Sequence, residues 1–279
     1  MKKLLYILLL FPLLLTGQPT FFQTLNVKPK VILLRGQSNA VGDAFNTTLA
    51  GDLFYDKEEI KIANLITGVF ENLKVNSSTF VGNNAGLPTY VSGYIAAYSR
   101  HGLELRLMKV LNDSYNIPFW LHKYAVGATS LAQTTTLNWN INSADNLYTR
   151  SHDSWTLFKN GSGRNLAPDL YVWIQGESDS QSQTDINNYY NNCVAFFAAE
   201  RAFYNAPNMP ILIVSMSSQQ TLFPEYAQIK AIQASLGALP NNYYYNQNYA
   251  VDGGGAHYTT NAYTSMANDL LPIIKTIMK

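Results

Sequence analysis

The chain has 279 residues, of which 47% are hydrophobic, 13% aromatic and 13% charged. This composition excludes a disordered or collagen-like chain and allows one large domain with a sizeable buried core. The 19 basic and 18 acidic residues give a formal net charge of +1, which argues against binding to nucleic acid or to an anionic membrane surface.

The first 17 residues have the organisation of a signal peptide. Lys2 and Lys3 form a basic head, residues 4–15 form an apolar run, and a small residue, Gly17, follows shortly afterwards. A retained membrane anchor is the alternative, but it needs about 20 apolar residues to span the bilayer, and this run is shorter. We therefore expect cleavage near Gly17, a single mature domain over residues 18–279, and a secreted or periplasmic protein that keeps no membrane span.

Short apolar runs alternate with helical patterns along the rest of the chain. The runs predict strands at 31–34, 119–126, 170–174 and 211–216. Helix-spaced apolar residues form four stripes, on Leu103, Leu107, Val110 and Leu111, around Cys193, on Ile229, Ile232 and Leu236, and on Tyr263, Met266, Ala267 and Leu270. The alternation predicts an α/β domain with three α/β/α layers around a mainly parallel sheet.

Several local features refine this prediction. Thr259 or Thr260 is expected to cap the last helix, and Pro272 to kink or end it. Cys193 is the only cysteine, so an internal disulfide is excluded and a buried structural thiol is expected. Segment 71–94 is predicted to be a surface excursion. Segment 241–249 is predicted to be a polar loop or edge strand, with an aromatic platform beside a substrate cleft as the alternative.

A serine follows the first predicted strand at the place where a nucleophile is expected. Ser38 lies in the sequence RGQSNAVG, whose glycines allow a sharp turn or a close approach to a ligand. The second and third strands lead into loops 127–131 and 175–179. Both loops offer backbone N–H groups, and Gln175 adds a side-chain amide, which are the donors that a tetrahedral oxyanion requires.

His257 is the best candidate for a general base. It lies in a glycine-rich loop before the last helix, with Asp252 five positions upstream, whereas the other three histidines are explained by packing or surface positions. Ser38 as nucleophile, His257 as base and Asp252 as the group that fixes the tautomer would activate an otherwise weak hydroxyl. The chain order Ser, Asp, His is compatible with this arrangement.

Four sequence blocks together resemble the SGNH (GDSL-like) hydrolase superfamily, and within it the sialate O-acetylesterase and acetylxylan-esterase-like branch. The blocks are GQSN at 36–39, GATSL at 127–131, QGESD at 175–179, and Asp252 with the HYT sequence at 257–259. The resemblance covers residues 31 to about 271. It implies a flavodoxin-like, exported serine esterase that needs no metal or cofactor and removes acetyl groups from carbohydrate hydroxyls.

The resemblance also implies the roles of the site residues. Ser38 matches the nucleophile, His257 the base and Asp252 its partner. The oxyanion hole would consist of the Ser38 backbone N–H, a backbone N–H around Gly127 and the Gln175 side chain. No protein partner is implied.

Two departures from the family pattern leave alternatives open. Ala128 replaces a glycine, which is tolerable unless the position needs a positive φ. Four residues separate Asp252 from His257 where the superfamily usually has two, so Glu177 could orient the imidazole instead, or could brace its own loop. The alternatives to a carbohydrate acetylesterase are a lipase, thioesterase or arylesterase acting on a less polar ester, and a catalytically silent carbohydrate-binding protein.

Overall fold

The computed structural model of the chain describes residues 27–45, 48–65, 68–75, 100–133, 137–144 and 146–279. The predicted signal peptide lies outside the described residues, as does most of the predicted excursion at 71–94. Within the described residues, a seven-stranded sheet has the order β4-β3-β6-β1-β7-β8-β9, and a separate two-stranded sheet pairs β2 with β5. All neighbours in the large sheet are parallel except β3 and β4.

The strands and helices have the following bounds. The strands are β1 Lys30–Gly36, β2 Ala44–Phe45, β3 Ile60–Asn64, β4 Val69–Asn72, β5 Arg100–His101, β6 Phe119–Ala125, β7 Leu170–Ile174, β8 Ile211–Val214 and β9 Asn242–Tyr245. The helices are α1 Ser38–Val41, α2 Leu103–Tyr115, α3 Leu147–Gly161, α4 Gln183–Phe203, α5 Tyr226–Gly237 and α6 Thr260–Ile277. Single 3₁₀ turns lie at Gly51–Leu53 and Asp179–Gln181. No helix in the described ranges has the length and apolarity needed to cross a bilayer.

The central strand β1 separates two hydrophobic cores. Ile32 and Leu34 pack into one core together with buried residues of α2 and α6, whereas Val31 and Leu33 pack into the other with α3, α4 and α5. Successive side chains of a strand point to opposite faces of its sheet, so a strand that is buried on both faces has a nearly continuous apolar run, as residues 31–34 of β1 do. The three-layer α/β/α prediction is confirmed.

The order of the strands determines where a site can form. Without β3 and β4, which extend the sheet beyond β6, the strands β6-β1-β7-β8-β9 have the order 2-1-3-4-5 when numbered along the chain, as in a flavodoxin-like sheet. Ligands in such sheets bind at the carboxyl ends of the strands where the order reverses, here on either side of β1. The loops that leave β1, β6 and β7 at this edge begin near Ser38, Gly127 and Gln175.

Most of the local predictions are confirmed. All four predicted strands are present, Cys193 is fully buried in α4, and the side chain of Thr259 caps α6 by accepting the N–H of Ala262. Segment 241–249 contributes the edge strand β9. The prediction that the last helix ends at Pro272 is wrong, because α6 continues to Ile277. Pro272 is on the exposed side of the helix, and the buried residues Leu270 and Ile274 on either side keep the last turn on the core.

Candidate active site

Ser38 is the first residue of α1, immediately beyond the end of β1. The turn between them requires Gly36, whose φ is +137° and where a Cβ would lie 1.8 Å from the carbonyl oxygen of Ile174 in β7. The backbone N–H of Gln37 donates to the same carbonyl at 3.1 Å. The sharp turn that was inferred from the glycine-containing sequence is therefore real, and it brings Ser38 to the carboxyl edge between β1 and β7.

Asn39 joins the Ser38 turn to the loop that carries His257. Its amide nitrogen donates to the carbonyl oxygen of Ala256 at 3.1 Å, and its amide oxygen accepts the backbone N–H of Tyr258 at 3.1 Å. Asn39 is completely buried. Because these bonds hold the residues on both sides of His257 to the neighbour of Ser38, the structure brings the predicted nucleophile and the predicted base together at one edge of the sheet.

Among the described residues, Asp43 provides the carboxylate that bonds to the imidazole, although the sequence predicted no role for it. Asp43 Oδ2 lies 2.8 Å from His257 Nδ1, whereas Asp252 Oδ2 lies 3.9 Å from the same nitrogen. A hydrogen bond between such atoms requires about 3.2 Å or less, so only Asp43 makes one. Arg100 in turn forms an ion pair with the Asp43 carboxylate and donates to the Asp43 carbonyl oxygen at 2.9 Å.

The contact between Asp43 and His257 shifts the pKa values of both residues. The hydrogen bond to Asp43 raises the pKa of His257 above its ordinary value, against the opposing effect of burial, and the charges of Asp43, Asp252 and Glu177 act in the same direction as the bond. Burial alone would raise the pKa of Asp43, but the hydrogen bonds and positive charges of His257 and Arg100 outweigh it and lower the pKa. Asp43 is thus held as a carboxylate next to the ring nitrogen.

Glu177 is placed to brace loops. Its Oε1 accepts the side-chain amides of Asn39 at 2.6 Å and of Gln220 at 3.0 Å, and only 2% of the residue is exposed. Gln220 also donates to the carbonyl oxygen of Ala256 at 3.0 Å. Glu177 therefore connects the turn after β7 to both the Ser38 turn and the His257 loop. Of the two roles that the sequence left open for Glu177, these contacts favour bracing.

Gln175, a predicted oxyanion donor, is engaged in a buried network. Its side-chain nitrogen donates to the carbonyl oxygen of Thr129 at 3.1 Å and to the carboxylate of Asp179, and its side-chain oxygen accepts the hydroxyl of Tyr189 at 3.0 Å. An amide has two hydrogens, and these two acceptors engage both. An oxyanion role for Gln175 stays a prediction that requires the amide to release one of them.

The other two predicted donors are backbone groups at the edge of the sheet. The Ser38 N–H is at the start of α1, where the first N–H groups of a helix have no partner within the helix. Gly127 begins the turn after β6. In the same turn Ala128 has a φ of +56°, so the glycine that it replaces is at a left-handed position. The position therefore meets the condition under which the replacement is unfavourable, and an alanine in this conformation costs about 1–2 kcal/mol.

Asp179 is completely buried and gives the network a dependence on pH. It accepts the backbone N–H groups of Leu131 and Ala132 as well as the Gln175 amide, yet burial dominates and raises its pKa to about 6 from 3.8. Between these values the folded protein keeps a proton that the unfolded chain has released. Asp179 therefore stabilises the fold most below about pH 4, and this contribution falls as the pH rises through about 6.

We expect the contribution of Asp179 to the free energy of unfolding to fall by about 3 kcal/mol between about pH 4 and about pH 6. The measurement is urea unfolding at several pH values from 4 to 7, compared between the wild type and Asp179→Asn. Because the other titrating groups are common to both proteins, the difference between the two curves isolates Asp179. Parallel curves would show that the carboxyl group titrates normally.

The remaining histidines are packed into the core. His101, His122 and His152 are 2%, 0% and 5% exposed, whereas the His257 side chain is 29% exposed and is therefore within reach of a ligand. Across the described parts of the chain, no group of three or more His, Cys, Asp and Glu side chains is arranged to hold a metal ion.

Comparison with known proteins gives the family. Residues 28–274 match the family described as carbohydrate esterase, sialic acid-specific acetylesterase. The chain belongs to this family. The resemblance inferred from the four sequence blocks is confirmed, and the protein is a carbohydrate esterase, which is a carboxylic ester hydrolase. Among curated protein sequences, no relative matches the chain.

Solved structures share the fold of this chain. A protein from Arabidopsis thaliana is 18% identical, with a TM-score of 0.70 over 89% of this chain and 99% of that chain. NanS is 12% identical, with a TM-score of 0.61 over 88% and 98%. A carbohydrate acetylesterase from Xanthomonas citri is 14% identical, with a TM-score of 0.58 over 89% of this chain and 56% of that one. At these identities the likeness concerns the fold alone.

Proposed function

We propose that the protein is an exported serine esterase that removes O-acetyl groups from carbohydrates, with Ser38 as nucleophile and His257 as general base. The observation that carries this proposal is the pair of Asn39 hydrogen bonds to Ala256 and Tyr258, which hold the Ser38 turn against the His257 loop. Family membership supports the substrate class, because the family description names carbohydrate and acetyl ester chemistry.

The reaction proceeds in two acyl-transfer steps. Ser38 Oγ attacks the acetyl carbonyl carbon while His257 Nε2 takes the hydroxyl proton. His257 then gives this proton to the departing sugar oxygen, the ester bond breaks, and an acetyl group remains on Ser38. Water attacks the acetyl-enzyme with His257 again as base, and acetate leaves. Backbone N–H groups near Ser38 and Gly127 would stabilise the negative oxygen that develops in each step.

The tautomer that this mechanism needs follows from the contacts of the ring. His257 Nδ1 is 2.8 Å from a carboxylate oxygen, so the ring carries its proton on Nδ1 and keeps the lone pair on Nε2. A neutral imidazole in this tautomer accepts a proton from a hydroxyl on its Nε2 side. Among the described residues, Ser38 Oγ has no hydrogen-bond partner that would compete.

Export is part of the proposal and is supported by the sequence of the first 17 residues. A basic head and an apolar run that is too short to span a bilayer are the two elements that a secretion signal needs. Acetylated polysaccharides and glycans outside the cytoplasm would be accessible to a protein released in this way.

The test of the proposal combines labelling with a panel of substrates. We expect a fluorophosphonate probe, which reacts only with an activated serine, to label Ser38 stoichiometrically. We also expect the protein to release acetate from acetylated glycans, including acetylated xylan and acetylated sialic acid, and to hydrolyse acetyl esters of a chromogenic phenol faster than octanoyl esters. Acetate release and the site of labelling are read by enzymatic acetate assay and by peptide mass spectrometry.

Each contrary result points to a different protein. Faster hydrolysis of octanoyl esters would indicate a lipase, thioesterase or arylesterase with the same serine. Labelling at another serine would move the nucleophile. Absence of both labelling and acetate release, with glycan binding retained, would indicate a carbohydrate-binding protein that has lost its chemistry.

A further inference from the structure

We infer that Asp43, held in place by Arg100, is the residue that positions His257, and that Asp252 instead closes the loop that carries the histidine. This inference rests on the proposed esterase function. It assigns the carboxylate of the Ser–His–Asp arrangement to the segment that follows the nucleophile, five positions after Ser38, and not to the segment that precedes the histidine.

The carboxylates of Asp43 and Asp252 differ both in their distance from His257 Nδ1 and in their burial. Asp43 Oδ2 is 2.8 Å from His257 Nδ1 and its side chain is 21% exposed, whereas Asp252 Oδ2 is 3.9 Å away and its side chain is 48% exposed. A hydrogen bond to a charged acceptor is about twice as strong as one between neutral groups, and a partly buried charge is screened less by solvent than an exposed one. Asp43 therefore contributes most of the interaction that orients the ring.

The backbone around Asp43 is fixed from two sides. Gly42 donates its N–H to the Ser38 carbonyl oxygen at 2.8 Å, and Arg100 donates to the Asp43 carbonyl oxygen at 2.9 Å while it pairs with the carboxylate. Gly42 has a φ of +91°, and a Cβ there would lie 2.3 Å from the backbone nitrogen of Gly102. Only glycine allows this close approach, which places Asp43 beside the chain that carries Arg100.

Asp252 makes its contacts within its own loop. Its backbone N–H donates to the His257 carbonyl oxygen at 2.7 Å, and its Oδ1 is 3.4 Å from the backbone nitrogens of Ala256 and His257. Val251 and Tyr258 form an antiparallel bridge just outside this pair. The four residues 253–256 thus form the tip of a closed turn, and the extra length that separates Asp252 from His257 is used to close that turn.

The result is an arrangement in which one short segment provides both ends of the proton path. Ser38, the proposed nucleophile, begins the segment, and Asp43 ends it with its carboxylate 2.8 Å from Nδ1 of His257. In the proposed mechanism, Nε2 of the same ring takes the Ser38 proton. The other charged groups around the imidazole are Asp252 and Glu177, with Arg100 behind Asp43. These two further carboxylates act on the imidazole ring itself only through their charge. Removal of the Asp43 carboxylate is therefore expected to free the ring from its orientation, and removal of the Asp252 carboxylate is not.

The test compares Asp43→Asn with the matched variant Asp252→Asn. We expect Asp43→Asn to lower kcat for an acetyl ester by about 10²- to 10⁴-fold with little change in KM, because the wrong tautomer and ring orientation affect the transition state more than substrate binding. Asp252→Asn should retain most of its kcat. Circular dichroism and thermal unfolding establish that both variants fold.

The pH profile distinguishes positioning from a merely structural role. Since the bond to Asp43 raises the pKa of His257, the acid limb of the kcat/KM profile should move to lower pH in Asp43→Asn and much less in Asp252→Asn. A variant that had only loosened the fold would lose activity without this shift. Wild-type kcat and an unshifted profile in Asp43→Asn, with both changed in Asp252→Asn, would overturn the inference in favour of Asp252.

A spectroscopic measurement provides a second route that needs no change at Asp43. The hydrogen bond to a carboxylate should give the Nδ1 proton of His257 a low-field proton NMR signal, and we expect this signal to persist in Asp252→Asn. Its loss in that variant would overturn the inference even if Asp43→Asn failed to fold. Failure of the proposed function is recognised separately, because it would leave Ser38 unlabelled by the fluorophosphonate in the wild type.

Discussion

Replacement of Ser38 by alanine is expected to lower kcat for acetyl ester hydrolysis by about 10⁴- to 10⁶-fold, leaving only the slow hydrolysis that binding and oxyanion donors support. The reason is that Ser38 Oγ is the atom that forms the covalent intermediate in the proposed mechanism. Steady-state hydrolysis of a chromogenic acetate, together with the absence of fluorophosphonate labelling, measures the effect.

The fold should tolerate this change. Ser38 Oγ makes no hydrogen bond among the described residues, so its removal leaves no buried partner unsatisfied, and the free energy of unfolding should change by less than about 0.5 kcal/mol. Ser235→Ala is the matched control, because that hydroxyl is exposed on α5 and donates only to Ala231 in its own helix. Undiminished turnover by Ser38→Ala, or equal losses in the two variants, would remove Ser38 from the mechanism.

The parts of the fold that the sequence predicted are those whose pattern is set by burial alone. The strands at the centre of the sheet contain apolar runs because both of their faces are covered, although β1 also contains buried Arg35 and β6 contains buried His122 and Lys123. Helix α3 was missed because its buried side includes Ser151 and His152 between Leu147 and Trp155, which interrupts the apolar stripe. For strand β9 the sequence left a polar loop and an edge strand open, because asparagine and tyrosine form it, and the structure shows the edge strand.

The site was predicted as far as strand ends and residue types allow. Ser38 and His257 are recognisable because each lies in a turn beside a predicted element and has the side chain that acyl transfer needs. Asp43 was missed because a carboxylate was sought near the histidine in the sequence, whereas its contact with His257 is created by the fold. The hydrogen bonds of Asn39 to Ala256 and Tyr258 were missed for the same reason. The signal that could have indicated Asp43 is its position directly after the RGQSNAVG sequence that contains Ser38.

A second large effect, on stability, is expected from the buried ion pair between Lys123 and Glu104, which contacts the segment from Ser38 to Asp43. Lys123 Nζ is 3.0 Å from Glu104 Oε2, and the two side chains are 3% and 0% exposed. Lys123 also donates to the Val41 carbonyl oxygen, and Glu104 Oε1 accepts the Gly102 N–H at 2.8 Å. The pair therefore secures both Val41, which precedes the turn to Asp43, and Gly102, against which that turn packs.

We expect Glu104→Gln to lower the free energy of unfolding by about 3–5 kcal/mol, because it leaves the Lys123 ammonium buried without an opposite charge. Burial already lowers the pKa of Lys123 from 10.5, and loss of Glu104 lowers it further. The folded variant then binds fewer protons than its unfolded chain, so the deficit should shrink as the pH rises toward 10.5. Urea unfolding of wild type and variant across pH 6 to 10 measures both the deficit and its slope.

The double variant Glu104→Gln with Lys123→Met separates the lost charge balance from lost packing. If the buried, unpaired ammonium causes the deficit, removing it should recover much of the stability, since glutamine still accepts the Gly102 N–H and methionine fills a similar volume. The recovered protein should also lack the pH slope. If the double variant is less stable than Glu104→Gln alone, the hydrogen bond from Lys123 to Val41 contributes more than the unpaired ammonium costs, and the segment between Ser38 and Asp43 depends on that bond for its position.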